Sequence, residues 1–127
     1  MSDKAQYTIE FVINTSPRVL FSRLSTADGL SEWFADDVNV KADEYTFFWE
    51  GTETKAKRIS YKDQKHIRFQ WLDDADTDCF LEFKLESQDL TGDLSLLITD
   101  FATPEDLQDA TELWTSQISN LKRLLGI

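Results

Sequence analysis

Tyr7, Ile9, Phe11 and Ile13 alternate with Thr8, Glu10 and Asn14, so the chain opens on a period of two. That period predicts a strand with one buried face. At Thr15-Ser16-Pro17 the pattern changes: a capping residue precedes a proline whose fixed φ suits the first helical turn. Val19, Leu20, Arg23 and Leu24 follow at helical spacing. Asp28-Gly29 is expected to break this short helix, and Leu30, Trp33 and Phe34 to form the apolar side of a second. Residues 16 to 34 therefore predict a helix pair.

From Val38 the period returns to two. Val38 and Val40 predict a strand, and Tyr45-Thr46-Phe47-Phe48-Trp49 another, closed by a turn at Glu50-Gly51-Thr52. A long strand from about Glu53 to Tyr61 leads to a turn at Lys62-Asp63-Gln64. Ile67, Phe69 and Trp71 alternate with Arg68 and Gln70, and Leu81, Phe83 and Leu85 with Glu82, Lys84 and Glu86. Leu94 to Phe101 is the last strand. The hairpin-like spacings predict an antiparallel sheet.

The C-terminal segment predicts a long helix. Thr103-Pro104-Glu105-Asp106 offers a cap, a first-turn proline and early acids; Lys122 and Arg123 sit in the last turn, and Gly126 ends it. Leu107, Ala110, Trp114, Gln117, Leu121, Leu124 and Leu125 form one stripe. A helix with one apolar stripe and a sheet with one apolar face can bury each other. The expected architecture is α+β: a curved antiparallel sheet of about six to seven strands wrapped around a long C-terminal helix, with a short helix pair after the first strand. No linker or repeat divides residues 1–127, which are expected to form one domain.

Composition narrows the partners. The net charge of −11 leaves no basic face for phosphates, which speaks against nucleic acid and anionic membrane surfaces. The N-terminus lacks a signal-peptide pattern, no apolar run is long enough to span a bilayer, and the one cysteine, Cys79, has no internal partner. A cytoplasmic protein without membrane insertion is the expectation. Nine Phe, four Trp and three Tyr supply more aromatic area than a chain of this size requires, which suits a dense core or a lined cavity.

The order strand, helix pair, strands, long helix resembles the START-like (SRPBCC, helix-grip) superfamily. Within it the chain is similar to the Aha-type branch, the homologues of the activator of heat-shock-protein ATPase. The resemblance is carried by Phe11-Val12-Ile13-Asn14-Thr15-Ser16-Pro17, Leu30-Ser31-Glu32-Trp33-Phe34, Ile67-Arg68-Phe69-Gln70-Trp71, and Trp114 with Leu121-Lys122 and Leu124-Leu125. It covers nearly the whole chain through packing residues, not through a catalytic signature. It implies a cavity between sheet and terminal helix, in a superfamily that binds lipids, sterols, hormones and polyketides, includes cyclases and hydrolases, and has co-chaperone members. Fold alone does not choose among these.

The chemistry in the sequence is sparse. His66 is the only histidine and has no second ligand or nucleophile to serve, so it completes neither a zinc site nor a triad. Asp74, Asp76 and Asp78 have the spacing of the first ligands of a calcium loop. Cys79 and Leu85 stand where that loop needs glycine and glutamate. No catalytic residue, metal site or cofactor is assigned. Lys55 and Lys57 are expected on the strand face opposite Arg58, where a partner protein could dock. A charge such as Glu53 or Arg58 on the inner face would need a partner or a ligand. The candidate ligand-contacting residues are Tyr45, Phe47 and Trp49 on one strand face, Phe69 and Trp71 on the next, Phe83, Arg58, and Trp114 on the helix. Trp33 and Phe34 are placed at the mouth. The reading is a non-enzymatic binder of a small apolar or amphipathic molecule. A protein-interaction module and a small cyclase or hydrolase stand as alternatives.

Overall fold

The fold was analysed in a computed structural model that describes residues 4–74 and 77–127. Seven strands form one antiparallel sheet: β1 (Ala5–Val12), β2 (Asp37–Lys41), β3 (Glu44–Trp49), β4 (Thr52–Lys62), β5 (His66–Trp71), β6 (Leu81–Ser87) and β7 (Leu94–Ala102). Their order is β1-β7-β6-β5-β4-β3-β2, so β2 to β7 run as a meander and β1 closes beside the last strand. The helices are α1 (Pro17–Ser25), α2 (Ala27–Leu30) and α3 (Leu107–Leu125). The sheet is open and curved, with α3 and the helix pair on its concave side.

Alternation fixes which side chains point inward. Ile9 pairs with Ile98, Phe83 with Ile98 and Ile67, and Tyr45 with Ala56. All of these lie on the concave face, so register and hydrophobic pattern agree along the sheet. On β4 the register shifts between Arg58 and Ser60. This bulge brings Tyr61 back to the inner face opposite Ile67, which a strict alternation from Ala56 and Arg58 would not do.

Two helical expectations are corrected. Asp28-Gly29 does not break a helix. The break falls at Thr26, whose hydroxyl accepts the Gly29 N–H at 2.9 Å and caps the single turn of α2. Asp28 and Gly29 lie inside that turn, and Trp33 and Phe34 follow it in a non-helical turn. Glycine is needed at 29 because a Cβ there would collide with the Ser22 carbonyl oxygen and Arg23 Cα of α1. At the other end, the Thr103 hydroxyl and carbonyl both accept the Asp106 N–H, so residues 104–106 form a tight turn and α3 proper begins at Leu107. The buried stripe of α3 is Trp114, Ile118 and Leu121. Ile118 replaces the expected Leu107 and Leu124, which are exposed on the helix flanks.

The core is built of rings. Phe83 touches Trp33, Phe34, Phe69 and Trp114 with ring centroids 5.9–6.4 Å apart. Phe47 touches Phe34, Tyr45, Trp49, Phe69 and Trp71 at 5.3–6.2 Å. Most of these contacts are tilted or edge-to-face, the geometry that aromatic quadrupoles favour. Tyr45, Phe47, Phe69 and Phe83 are fully buried.

Candidate functional site

The aromatic cluster reaches the surface beside α3. Between α3 and the segment after α2, Phe34, Trp49, Ala110, Leu113, Trp114 and Gln117 line a groove of about 380 Å³, with Asp100 from β7 as its one ionisable side chain. Phe34 stacks on Trp114 at 5.9 Å and 14°, and meets Trp49 edge-on at 5.4 Å. Both indole N–H groups are engaged. Trp49 donates to the Phe34 carbonyl at 2.8 Å, and Trp114 donates to Tyr7 and Asp100. What the rings present to the groove is therefore mainly carbon. Leu113 is 60 % exposed beside them. A shallower trough of about 740 Å³ continues from the groove, sharing Phe34, Trp49, Leu113 and Gln117; Glu32, Asp36 and Glu50 also line it.

Asp100 occupies an inward position of β7, in line with Leu96 and Ile98. Its Oδ2 accepts from Trp114 Nε1 at 3.3 Å and from the Tyr7 hydroxyl at 3.4 Å; its Oδ1 accepts the Phe101 N–H at 2.8 Å. Burial pushes this carboxyl above the usual aspartate range, while those three donors and the charge of Lys4 pull it back. Burial and the neighbouring Asp100 push the Tyr7 phenol up to about 12. The arrangement can hold a charge or a donor at the end of an apolar slot.

The predicted ligand-contacting residues separate into four places. Phe34, Trp49 and Trp114 line the groove. Phe47 and Phe83 pack directly behind them; Tyr45, Phe69 and Trp71 continue the same ring cluster. Trp33 is buried with its N–H on the Arg23 carbonyl at 2.7 Å, and borders the trough. Arg58 lies elsewhere on the inner face, its guanidinium 4.6 Å above the Tyr61 ring. Tyr45 nearby donates to the Ser25 carbonyl at 2.7 Å, and burial raises its phenol pKa. Glu53 is exposed and pairs with Lys55, while Lys57 pairs with Asp43, all on the outer surface.

Sequence reasoning missed Asp100 and Leu113 as groove residues, and Tyr7 as the residue that holds Asp100 and Trp114. A signal existed for Asp100: it is the one charge in the inward stripe Leu94, Leu96, Ile98, Asp100, Ala102. His66 is half-buried, with its Nε2 2.8 Å from the Ser60 hydroxyl. Of the acidic loop, Asp76 and the Asp74 side chain lie outside the described residues. Among the described residues no group of three or more His, Cys, Asp or Glu is placed to hold a metal, and no helix is long and apolar enough to cross a membrane. A second hollow of about 380 Å³, at Pro17, Lys65, Leu85, Glu86 and Asp89, mixes both charge signs and carries no aromatic ring.

Solved structures share this architecture. A Bacteroides fragilis protein, BfR322, is 38 % identical, covers 99 % of this chain and 94 % of its own, and superposes with a TM-score of 0.71. The Aha1 dimer from Colwellia psychrerythraea is 18 % identical over 93 % of each chain, with a TM-score of 0.76. MLL2253 from Mesorhizobium loti is 15 % identical, with 96 % of this chain and 97 % of that one covered and a TM-score of 0.75. The last two likenesses are of fold. No curated protein matches the sequence. The family model described as a START-like superfamily domain matches residues 1–127. With the sheet order, the helix pair and the terminal helix in agreement, this chain belongs to the START-like superfamily.

Proposed function

We propose that this chain is a binding module that holds a small apolar or amphipathic molecule in the groove between α3 and the segment following α2, without catalysing a reaction on it. One observation carries the reading: a groove of about 380 Å³ walled by Phe34, Trp49, Ala110, Leu113 and Trp114 and ended by one half-buried carboxylate. Small-molecule sites have this build, an apolar slot with very few polar groups to orient the ligand. The rings of Tyr45, Phe47, Phe69 and Phe83 pack together in the interior, so the proposed site lies at the edge of the sheet–helix interface and not deep within it. Gln117 is the other polar side chain along the slot and does not titrate, which favours binding over chemistry.

The test is a thermal-shift and native-mass screen of the purified protein against fatty acids, sterols, flat aromatics and aromatic amines. It is repeated on Ala110→Trp, which fills the slot from the helix side. A ligand whose shift grows with concentration in the wild type and disappears in Ala110→Trp supports the groove. Binding that survives the blocking substitution places the ligand elsewhere and removes this reading.

A second reading is favoured by the exposure of Leu113 and by the open trough that continues the groove. In it the strip receives an apolar side chain of a second copy of this chain. Sedimentation across the micromolar range decides: a dimer dispersed by Leu113→Lys supports it, and a monomer throughout counts against it.

A further inference from the structure

We propose that the groove selects an organic cation, a protonated amine or quaternary ammonium carried on a compact apolar body, with its charge against Asp100 and among the rings of Phe34, Trp49 and Trp114. The inference rests on the groove reading above and names the chemistry of its ligand.

Three independent features converge on it. The first is the wall. Phe34, Trp49 and Trp114 come together from three separate segments of the chain, and both indole N–H groups are turned into protein acceptors. Aromatic rings attract cations through their quadrupoles, with Trp the strongest, and several rings around one site hold an alkylated ammonium that a hydrogen-bonding pocket would not. The second is Asp100. Among the described residues it is the one ionisable group lining the slot, and the protein keeps its carboxylate in a place where burial opposes ionisation. Among the described residues it meets Tyr7 on β1, Trp114 on α3, the Phe101 N–H on its own strand, and the charge of Lys4 beyond β1. Of these only Lys4 is cationic, and it does not line the groove. The third is the approach. The trough leading to the slot is bordered by Asp36 and Glu50, and by Glu32, whose carboxylate is paired with Arg23; among the described residues no Lys or Arg lines it, and the chain's net charge is −11. Such a path raises the local concentration of cations and repels anions such as fatty acids.

Neutral apolar ligands would use the same carbon walls but would gain nothing from Asp100 or the acidic approach. An anionic amphiphile would be opposed by both. The cation is thus the one class for which walls, end and approach all contribute.

The probes are benzyltrimethylammonium and neopentylbenzene, its uncharged isostere. Binding is followed by NMR on the indole N–H signals of Trp49 and Trp114, with the protein at neutral pH and low salt. The expected result is that the cation shifts both signals and binds at least about tenfold more tightly than the isostere. In Asp100→Asn the two probes are expected to bind within a few-fold of each other. A pH titration of the wild type gives the same answer without the variant: the cation's advantage shrinks on acidification as Asp100 takes up its proton, and isostere binding stays constant.

Equal binding of cation and isostere in the wild type overturns the cation inference and leaves the groove reading standing. A cation preference untouched by both Asp100→Asn and acidification also overturns it, because the charge is then recognised elsewhere. Failure of both probes to move either indole signal overturns the inference. If the wider screen with Ala110→Trp is silent as well, the groove reading falls with it.

Discussion

The indole N–H of Trp114 on α3 lies 3.1 Å from the phenol oxygen of Tyr7 on β1, across 107 residues of sequence. This contact joins the first strand to the last helix, and Asp100 on β7 lies within reach of both partners. The terminal helix is therefore positioned by a polar contact as well as by its apolar stripe, and Trp114 and Asp100 from that contact line the groove.

Tyr7 makes the alkaline limb of stability informative. Its phenol has a folded-state value of about 12 against an ordinary value of 10.0. A raised value means that the fold favours the neutral form, so its contribution is complete below pH 10 and is lost as pH rises towards 12. Urea midpoints measured over that interval should fall for the wild type and fall less for Tyr7→Phe. Equal slopes would show that Tyr7 ionises as freely in the fold as in the unfolded chain.

Asp100 gives the opposite expectation for a carboxylate that merely stabilises. Its folded value is raised, so the fold favours the neutral acid. That advantage is present at low pH and is lost as pH rises through the folded value. Asparagine keeps an acceptor for Trp114 and Tyr7 without a buried charge. Asp100→Asn should therefore be more stable than the wild type at neutral pH, with the difference closing on acidification. A variant less stable at neutral pH would show that the donors around the carboxylate outweigh its burial.

Gly29→Ala tests the seat of the helix pair. In an ordinary helix interior, alanine is better than glycine by about 1 kcal/mol. Here the added Cβ meets the backbone of Ser22 and Arg23 on α1, and backbone cannot swing aside. The expected outcome is a loss of about 3 kcal/mol in denaturant unfolding, opposite in sign to the propensity.

Phe83 is the centre of the ring cluster, fully buried and in contact with Trp33, Phe34, Phe69 and Trp114. Phe83→Ala should cost about 4 kcal/mol, the transfer free energy plus that of the cavity left behind. Phe83→Leu should cost about 1 kcal/mol if the neighbours close in. Equal costs for the two would mean that the site relaxes fully.

Much of the fold was legible in the pattern of residues. Tyr7, Ile9 and Phe11, or Leu81, Phe83 and Leu85, alternate because a strand between core and solvent must, and the structure pairs them as inner-face residues. The exceptions are local contests. Thr26 outcompetes Asp28-Gly29 as the break because its hydroxyl reaches the Gly29 N–H, an interaction invisible to periodicity. Ile118 displaces Leu107 and Leu124 on the buried stripe of α3 because the sheet covers only part of the helix's apolar surface. Among the ten ligand-contacting candidates, sequence could pick aromatics but could not tell a ring behind the groove from one that lines it.

By itself the sequence determined the alternation of periods, the positions of most turns and caps, the α+β order of elements and the supply of aromatic rings. Those properties reside in residues a few positions apart, where steric preference and the hydrophobic effect act on a single segment. The tertiary structure alone decided that Phe34, Trp49 and Trp114 meet at the surface, and that Asp100 is placed under them with Tyr7 at its side. That outcome depends on how a curved sheet and one helix fit together over 107 residues of separation, a fit set by side-chain volume and contact geometry, which no local period encodes.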